Sequence, residues 1–136
     1  MAKLNTNAKK LLASETIIWL TTVGSDLTPQ PRPVWFAPDG DDILIYSQPK
    51  AAKVAHIRKH PNVALHFNTD QWGSDETVVV LTGTTTLEPD NSKSPLLPAY
   101  VKKYKKGMAE LDMIPEQFSQ SYSQGIRVKL NRLRGF

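Results

Sequence analysis

Proline occupies every second position of Pro29-Gln30-Pro31-Arg32-Pro33. At that spacing the rings project to one side of an extended chain, and each removes a backbone N–H that a neighbouring strand could have used. Such a strand has to lie at a sheet edge, carry a bulge, or pair through one side only. Main-chain groups left free by a neighbour are then open to a ligand. The same pattern also serves simply to discourage edge-to-edge aggregation, and this stretch alone does not separate the two uses.

The flanking pattern is mostly β. Residues 16–23 are rich in β-branched and aromatic side chains, and Gly24-Ser25-Asp26 is turn chemistry, so a hairpin leads into the proline strand. The run Pro31 to Phe36, the turn at Asp39-Gly40 and the strand Ile43 to Ser47 then read as two antiparallel strands feeding a helix. Val63, Leu65 and Phe67 alternate with Ala64, His66 and Asn68; a polar loop follows, and residues 77–88 form a long strand that Gly83 bends or bulges. Residues 125–130 alternate again, with basic residues outward and a basic tail behind them. Helices are expected at residues 5–13, as a lid on one end of a barrel, from Pro49 to His60, around Tyr100, Val101 and Tyr104 up to Gly107, and from Pro115. Six strands with helical decoration amount to a mainly β fold, a small antiparallel barrel, closed or partly split.

At 136 residues this is one domain, able to build a core without a metal or disulfide. The absence of cysteine removes thiolate nucleophiles, zinc ribbons and iron–sulfur clusters, and it suits a reducing, cytoplasmic setting. Residues 1–12 carry no continuous apolar run, so neither a signal peptide nor a membrane span is expected. A net charge of +4 suits an anionic cofactor, an anionic substrate or nucleic acid. No nucleophile elbow, phosphate-binding P-loop, dinucleotide glycine fingerprint or His-Glu-x-x-His is present, and the acidic residues fall in turns. His56 and His60 read as solvated helix-end residues, with no metal site expected. An enzyme built from these residues would rely on a bound cofactor for its hard chemistry, so catalytic side chains are not assigned.

The densest cluster of candidate binding groups is Tyr46-Ser47-Gln48-Pro49-Lys50-Ala51-Ala52-Lys53. Pro49 suits a first helical position and Ser47 a cap, while Lys50 and Lys53, three apart, add full charge to the positive end of the helix. That is a phosphate cradle. The same segment also reads as a plain surface helix with its lysines in water.

Pro33-Val34-Trp35-Phe36, Asp39-Gly40, Ile45-Tyr46-Ser47-Gln48-Pro49, Lys53-Val54, Ile57-Arg58, Pro61-Asn62-Val63 and Leu81-Thr82-Gly83-Thr84 together resemble the pyridoxamine 5′-phosphate oxidase-like split-barrel superfamily. Within it the chain is most similar to the small oxidoreductases that use FMN or the deazaflavin coenzyme F420. The resemblance runs from about Ala13 to Phe136 and implies a six-stranded, FMN-binding type of split barrel. It further implies a homodimer with the cofactor in a groove at the interface. Lys53 matches the family's phosphate-binding lysine, Tyr46-Ser47 the strand end whose hydroxyl meets that phosphate, and Arg32-Pro33-Val34 the strand whose backbone runs along the ring system. The chain departs from pyridoxamine phosphate oxidases proper at Ala51 and Ala52, where they carry serine and arginine, which speaks against a vitamin B6 oxidase. Lys50 stands in for the lost charge, and a tail longer than that of FMN would be drawn to Lys50 and Arg58. Trp72, Arg127 and Arg132 are candidates for contacts across the dimer.

The expected activity is hydride transfer between bound F420 or FMN and a small organic substrate, in a pocket lined by Trp35 and the second subunit. The alternative is a carrier that holds a flavin-like or haem-type ligand without turnover. The lysines between Lys102 and Lys106 read most simply as a solvated helix face, and a nucleic-acid reading of them and of the basic tail falls behind both.

Overall fold

The structure, a computed structural model, describes residues 3–134. Met1 and Ala2, which open the stretch read as lacking a signal, and Gly135 and Phe136, which close the basic tail, lie outside the described residues. The elements in chain order are α1 (Thr6–Ser14), β1 (Ile18–Val23), β2 (Pro29–Val34), β3 (Ala37–Asp39), β4 (Asp42–Ser47), α2 (Ala52–Lys59), β5 (Asn62–His66), β6 (Val80–Leu87), α3 (Pro98–Glu110), α4 (Pro115–Ser121) and β7 (Gln124–Arg134). The strands form one antiparallel sheet of seven, in the order β2-β1-β5-β6-β7-β4-β3. Among the described residues no helix is long and apolar enough to cross a membrane.

The proline strand β2 is indeed an edge, paired only with β1. A full ladder with β1 needs the N–H groups of Gln30, Arg32 and Val34, which leaves the missing proline donors on the open side. The sheet has seven strands where six were expected, because the run from Pro31 does not continue through Phe36 to pair with Ile43 to Ser47. It breaks at Trp35-Phe36, and the short β3 beyond the break pairs with β4 at the opposite edge. Laid flat, the edges of seven strands would stand about 29 Å apart, six gaps of about 4.8 Å. Two linking residues reach only about 11 Å. The sheet must therefore curl until its edges converge, and Trp35-Phe36 is the seam.

Side-chain alternation at the seam divides the interior into two cores. Phe36 is fully buried in the barrel with Ile18, Leu20, Ile43, Ile45, Leu65, Leu81, Ile126 and Val128. Trp35 points the other way, into a layer built by α3 and α4 with Tyr100, Tyr104, Met108 and Phe118. Gly83 sits at a register shift between β6 and β7, as the sequence suggests, and a Cβ there would meet Val128 Cγ1 at 2.5 Å and the Lys129 carbonyl oxygen at 2.9 Å. The bend is thus held by close approach of the neighbouring strand.

Four local expectations are corrected. Helix α2 begins at Ala52, not Pro49: Ala51 is its cap, makes no side-chain hydrogen bond, and donates its own N–H to the Gln48 carbonyl at 3.1 Å. The segment Gln48 to Ala51 is thereby a turn, and Ser47 caps nothing, since its hydroxyl donates to the Gln48 carbonyl at 3.0 Å. Helix α3 does not stop at Gly107 but runs on to Glu110, the glycine serving a packing purpose described below. Lys103, placed by sequence on a solvated face, is half-buried, with Nζ donating to the Phe36 carbonyl at 2.9 Å and lying 3.6 Å from the Phe36 ring centroid. His56 is likewise not a solvated helix end: its Nδ1 lies 2.9 Å from Thr22 Oγ1 on β1.

Candidate functional site

A cavity of about 380 Å³ opens beside the seam, a size ordinary for small-molecule sites. One wall is the end of β2 with the seam, Pro33, Val34 and Trp35; a second is the end of β4 with Tyr46, Ser47 and Gln48. Ala51 and Lys53 at the start of α2 form its polar end, and Tyr100, Leu111, Phe118 and Tyr122 from the helical layer its aromatic end. Seven of the nine sequence-nominated residues therefore meet in one place: Pro33, Val34, Trp35, Tyr46, Ser47, Gln48 and Lys53. Arg32 lies one recess away, beside Lys53 and His56. Lys50 is exposed on the turn before α2 and lines neither space.

The polar end is short of negative charge. Lys53 is half-buried, and its ammonium is held below the usual lysine range chiefly by burial and then by the Arg32 guanidinium. Every ion pair among the described residues belongs to Arg127, so no carboxylate is within pairing distance of Lys53. The first amides of α2 have no side-chain cap. Uncapped N–H groups, the positive end of a helix and an unpaired ammonium converge on one spot, which is the donor set that a phosphate requires.

Tyr46 does not contribute its hydroxyl to that spot. The oxygen accepts from Leu97 N at 2.8 Å while the ring packs edge-on to Tyr100 at 4.7 Å, and burial pushes the phenol upward. Tyr46 thus ties the segment before α3 to β4 and offers only its ring to the cavity.

The aromatic end is a stack. Tyr104, Trp35, Phe118 and Tyr122 follow one another with centroid separations of 4.7, 5.7 and 4.2 Å and interplanar angles of 4°, 12° and 16°. Trp35 lies between two rings, so both its faces are covered and it presents an edge to the cavity. Its position depends on Gly107, where a Cβ would come within 2.7 Å of Trp35 Cη2. The Tyr104 hydroxyl fixes the backbone beneath, accepting from Phe36 N at 2.8 Å with the carbonyls of Thr16 and Phe36 at the same distance. Sequence spacing assigns Tyr100 and Tyr104 to a helix without giving them a place in the site, and it does not single out Phe118 or Tyr122. Their four-residue spacing, from the middle of a short helix to its C-cap, is the available clue.

The nominated contact residues diverge. Arg127 is held within the chain by Asp39 at 2.9 Å, Glu88 at 2.5 Å and Asp42 at 3.4 Å; two of these acids read from sequence as turn residues and Glu88 as the end of the long strand. Trp72 is 84% exposed on a loop organised by Asp70, whose Oδ1 accepts from Trp72 N and Ser74 N.

A seven-stranded curled antiparallel sheet, closed at a seam with a cavity beside it and helices over it, defines a split-barrel domain. The family model described as pyridoxamine 5′-phosphate oxidase matches residues 4–134, and the chain belongs to that family. No curated protein matches it by sequence. Among solved structures it is similar to one described as an F420 reductase, with 23% identity, a TM-score of 0.70 and coverage of 96% of this chain and 98% of that one. It is similar also to the haem storage protein HutZ of Vibrio cholerae (12% identity, TM-score 0.66, coverage 99% and 95%). A FAD-binding protein of Mesorhizobium loti shares the fold as well (18% identity, TM-score 0.64, coverage 96% and 92%).

Proposed function

We propose that the chain binds coenzyme F420 or FMN in this cavity and acts as a cytoplasmic oxidoreductase, moving hydride between the cofactor and a small organic substrate. The observation that carries the reading is the meeting, in one cavity, of an unpaired half-buried Lys53, the uncapped start of α2 and the end of the proline edge strand. The bound ring supplies the hydride donor or acceptor. The chain's own part is to hold and to exclude: Lys53 and the α2 amides grip the anionic arm, the Pro33-to-Trp35 backbone flanks the ring, and Tyr46, Tyr100 and Phe118 keep water from one side. Leu111, 49% exposed at the cavity rim, marks the side that a second copy of the chain closes in the proposed homodimer.

Titration of the purified protein with F420 and with FMN, followed by ring absorbance or fluorescence, tests this. Lys53→Ala should weaken binding at least about tenfold, since a charge-assisted contact contributes about 1.5 to 3 kcal/mol. Unchanged affinity would remove the cradle from the argument.

A carrier without turnover is the second reading. The cavity wall favours it in one respect, having neither histidine nor carboxylate to move a proton. Rapid mixing of the reduced complex with organic acceptors separates the two, because a carrier shows no acceptor-dependent oxidation. The same missing histidine leaves a haem-type ligand without an imidazole in this cavity, which haemin titration checks through its absorbance band.

A further inference from the structure

A second hollow, a groove of about 920 Å³, runs between α3 and α4 and shares no lining residue with the cavity beside the seam. Its volume is near the upper end of what small-molecule sites occupy. On α3 the wall is Pro98, Val101, Lys102 and Lys105, whose spacing puts them on one face of the helix, while Tyr100 on another face serves the cavity. On α4 it is Pro115, Glu116, Ser119 and Gln120, while Phe118 turns to the cavity. The segment before α3 closes the third side with Lys93, Pro95 and the buried Leu96.

Hydrogen bonds fix the shape of this groove. Ser119 Oγ lies 2.6 and 2.8 Å from the carbonyl oxygens of Asn91 and Ser94, and Asn91 Nδ2 donates to the Ser119 carbonyl at 3.0 Å, so the segment is pinned to α4. Its other end is tied to the barrel, where Leu97 N donates to the Tyr46 hydroxyl at 2.8 Å. Walls held in place this way lose little freedom when a ligand enters. The charge is one-sided: three lysines meet one glutamate, and every ion pair among the described residues belongs to Arg127. Asp90, which accepts from Ser92 N at 2.6 Å, interacts with Lys93 but does not line the groove. A helix face that only meets water gains from acids three or four residues away from its lysines. Neither Lys102 nor Lys105 has one; each instead has the other. The start of α3 carries no side-chain cap, and its positive end adds to the same potential. Like charges gathered on a fixed concave wall repel one another and favour an anion between them.

We infer that this groove is a second ligand site, for a small anionic molecule with an apolar body: a carboxylate, sulfonate or phosphate ester on an aromatic or aliphatic frame. The anionic group lies against Lys102 and Lys105, Lys93 closes on it from the segment before α3, and the frame packs on Leu96, Val101 and the prolines of the rim. Glu116, the acid of the lining, repels a second anionic group on the α4 side and so sets the ligand's orientation. The inference does not depend on the cofactor reading of the cavity.

The test titrates the full chain with anilinonaphthalene sulfonate, an aromatic sulfonate whose fluorescence rises on binding, and with its uncharged relative phenylnaphthylamine. The sulfonate should bind the wild type saturably, and more weakly as salt increases. Replacing both groove lysines, Lys102→Gln with Lys105→Gln, should cost it about tenfold in affinity and the uncharged probe less than about twofold. Lys9→Gln with Lys59→Gln removes the same charge from exposed positions outside the groove and should change sulfonate affinity less than about twofold. Glu116→Gln should tighten sulfonate binding about threefold, a change of the sign opposite to that of a damaged fold. Lys53→Ala, at the cavity, should leave it unchanged. Equal losses in the two lysine pairs, weaker binding by Glu116→Gln, a loss in Lys53→Ala, or a wild type that binds no sulfonate saturably would each overturn the groove site and leave the cavity reading standing.

Discussion

Replacing Gly107 with alanine puts a methyl carbon 2.7 Å from Trp35 Cη2 and 2.9 Å from Cζ2, well inside contact distance. The indole cannot tilt out of the way, because Tyr104 and Phe118 cover its faces at 4.7 and 5.7 Å. It can only slide in its own plane, or α3 must move. Two opposing quantities set the outcome. Alanine in a helix interior is favoured over glycine by about 0.8 to 1 kcal/mol, and overpacking costs about 1 to 3 kcal/mol. Gly107→Ala should therefore lower stability by at most about 2 kcal/mol and come close to neutral at the other limit. The decisive quantity is the coupling with Trp35→Phe, which deletes the fused ring that the new methyl group strikes. In that background Gly107→Ala meets open space and should stabilise by about 1 kcal/mol, so the cycle yields an interaction energy of about 1 to 3 kcal/mol. Urea unfolding of the four proteins at one chain concentration measures it, provided the m-values agree. Additivity within about 0.5 kcal/mol would show that the glycine is not there for the tryptophan. A displaced indole also alters the cavity, so dye binding by Gly107→Ala should weaken even where its stability is unchanged.

Two further outcomes concern the contacts that hold the seam. Tyr104→Phe takes away the acceptor of the Phe36 N–H, a buried donor with its partner at 2.8 Å; the expected loss is about 1 to 3 kcal/mol in urea unfolding, and an unchanged midpoint would mean that water or a shifted backbone replaces the hydroxyl. Lys103 has its ammonium lowered by burial to about 8 from an unfolded value of 10.5. The unfolded chain then binds more protons between those values, so this residue's unfavourable contribution is full below about pH 8 and fades as pH rises toward 10.5. Wild type should gain stability relative to Lys103→Met across that window, and parallel pH profiles would contradict it.

Much of this architecture is legible in the chain itself. Alternate prolines limited β2 to an edge, a bulge or one-sided pairing, Gly83 marked the bend in β6, and the side-chain pattern found the strands other than β3, because each of these rests on local backbone chemistry. The division of the proline run into two strands was not legible. Nothing between Pro31 and Phe36 marks a break; the run parts because opposite sheet edges meet there, which only the whole barrel determines. The start of α2 was missed for a related reason: Pro49 is compatible with a first helical position and equally with a turn, and the Ala51 N–H bond to Gln48 decides between them. Residues of the site that lie in the first half of the chain were found from short motifs. Tyr100, Phe118 and Tyr122 reach it from elements far along the sequence, and apolar spacing identifies a buried face without saying what it covers.

The position of the cavity follows from how the seam is closed. Two edge strands that meet could zip together through their main chains, but β2 has prolines where its open side would need donors, so this closure is denied to it. The helical layer supplies the missing partners instead: the Tyr104 hydroxyl takes the Phe36 N–H, and Lys103 gives a donor to the Phe36 carbonyl. Those contacts lie at Phe36, on the β3 side of the joint. On the other side, from Trp35 back to Pro33, the strand end remains open to the cavity, with Lys53 facing it from α2. A groove there is the consequence of sealing a proline edge with side chains rather than with a ladder, and its charge comes from the helix that happens to begin where the neighbouring strand ends. Binding a polyanionic ring ligand would complete on the β2 side what Tyr104 and Lys103 complete on the other.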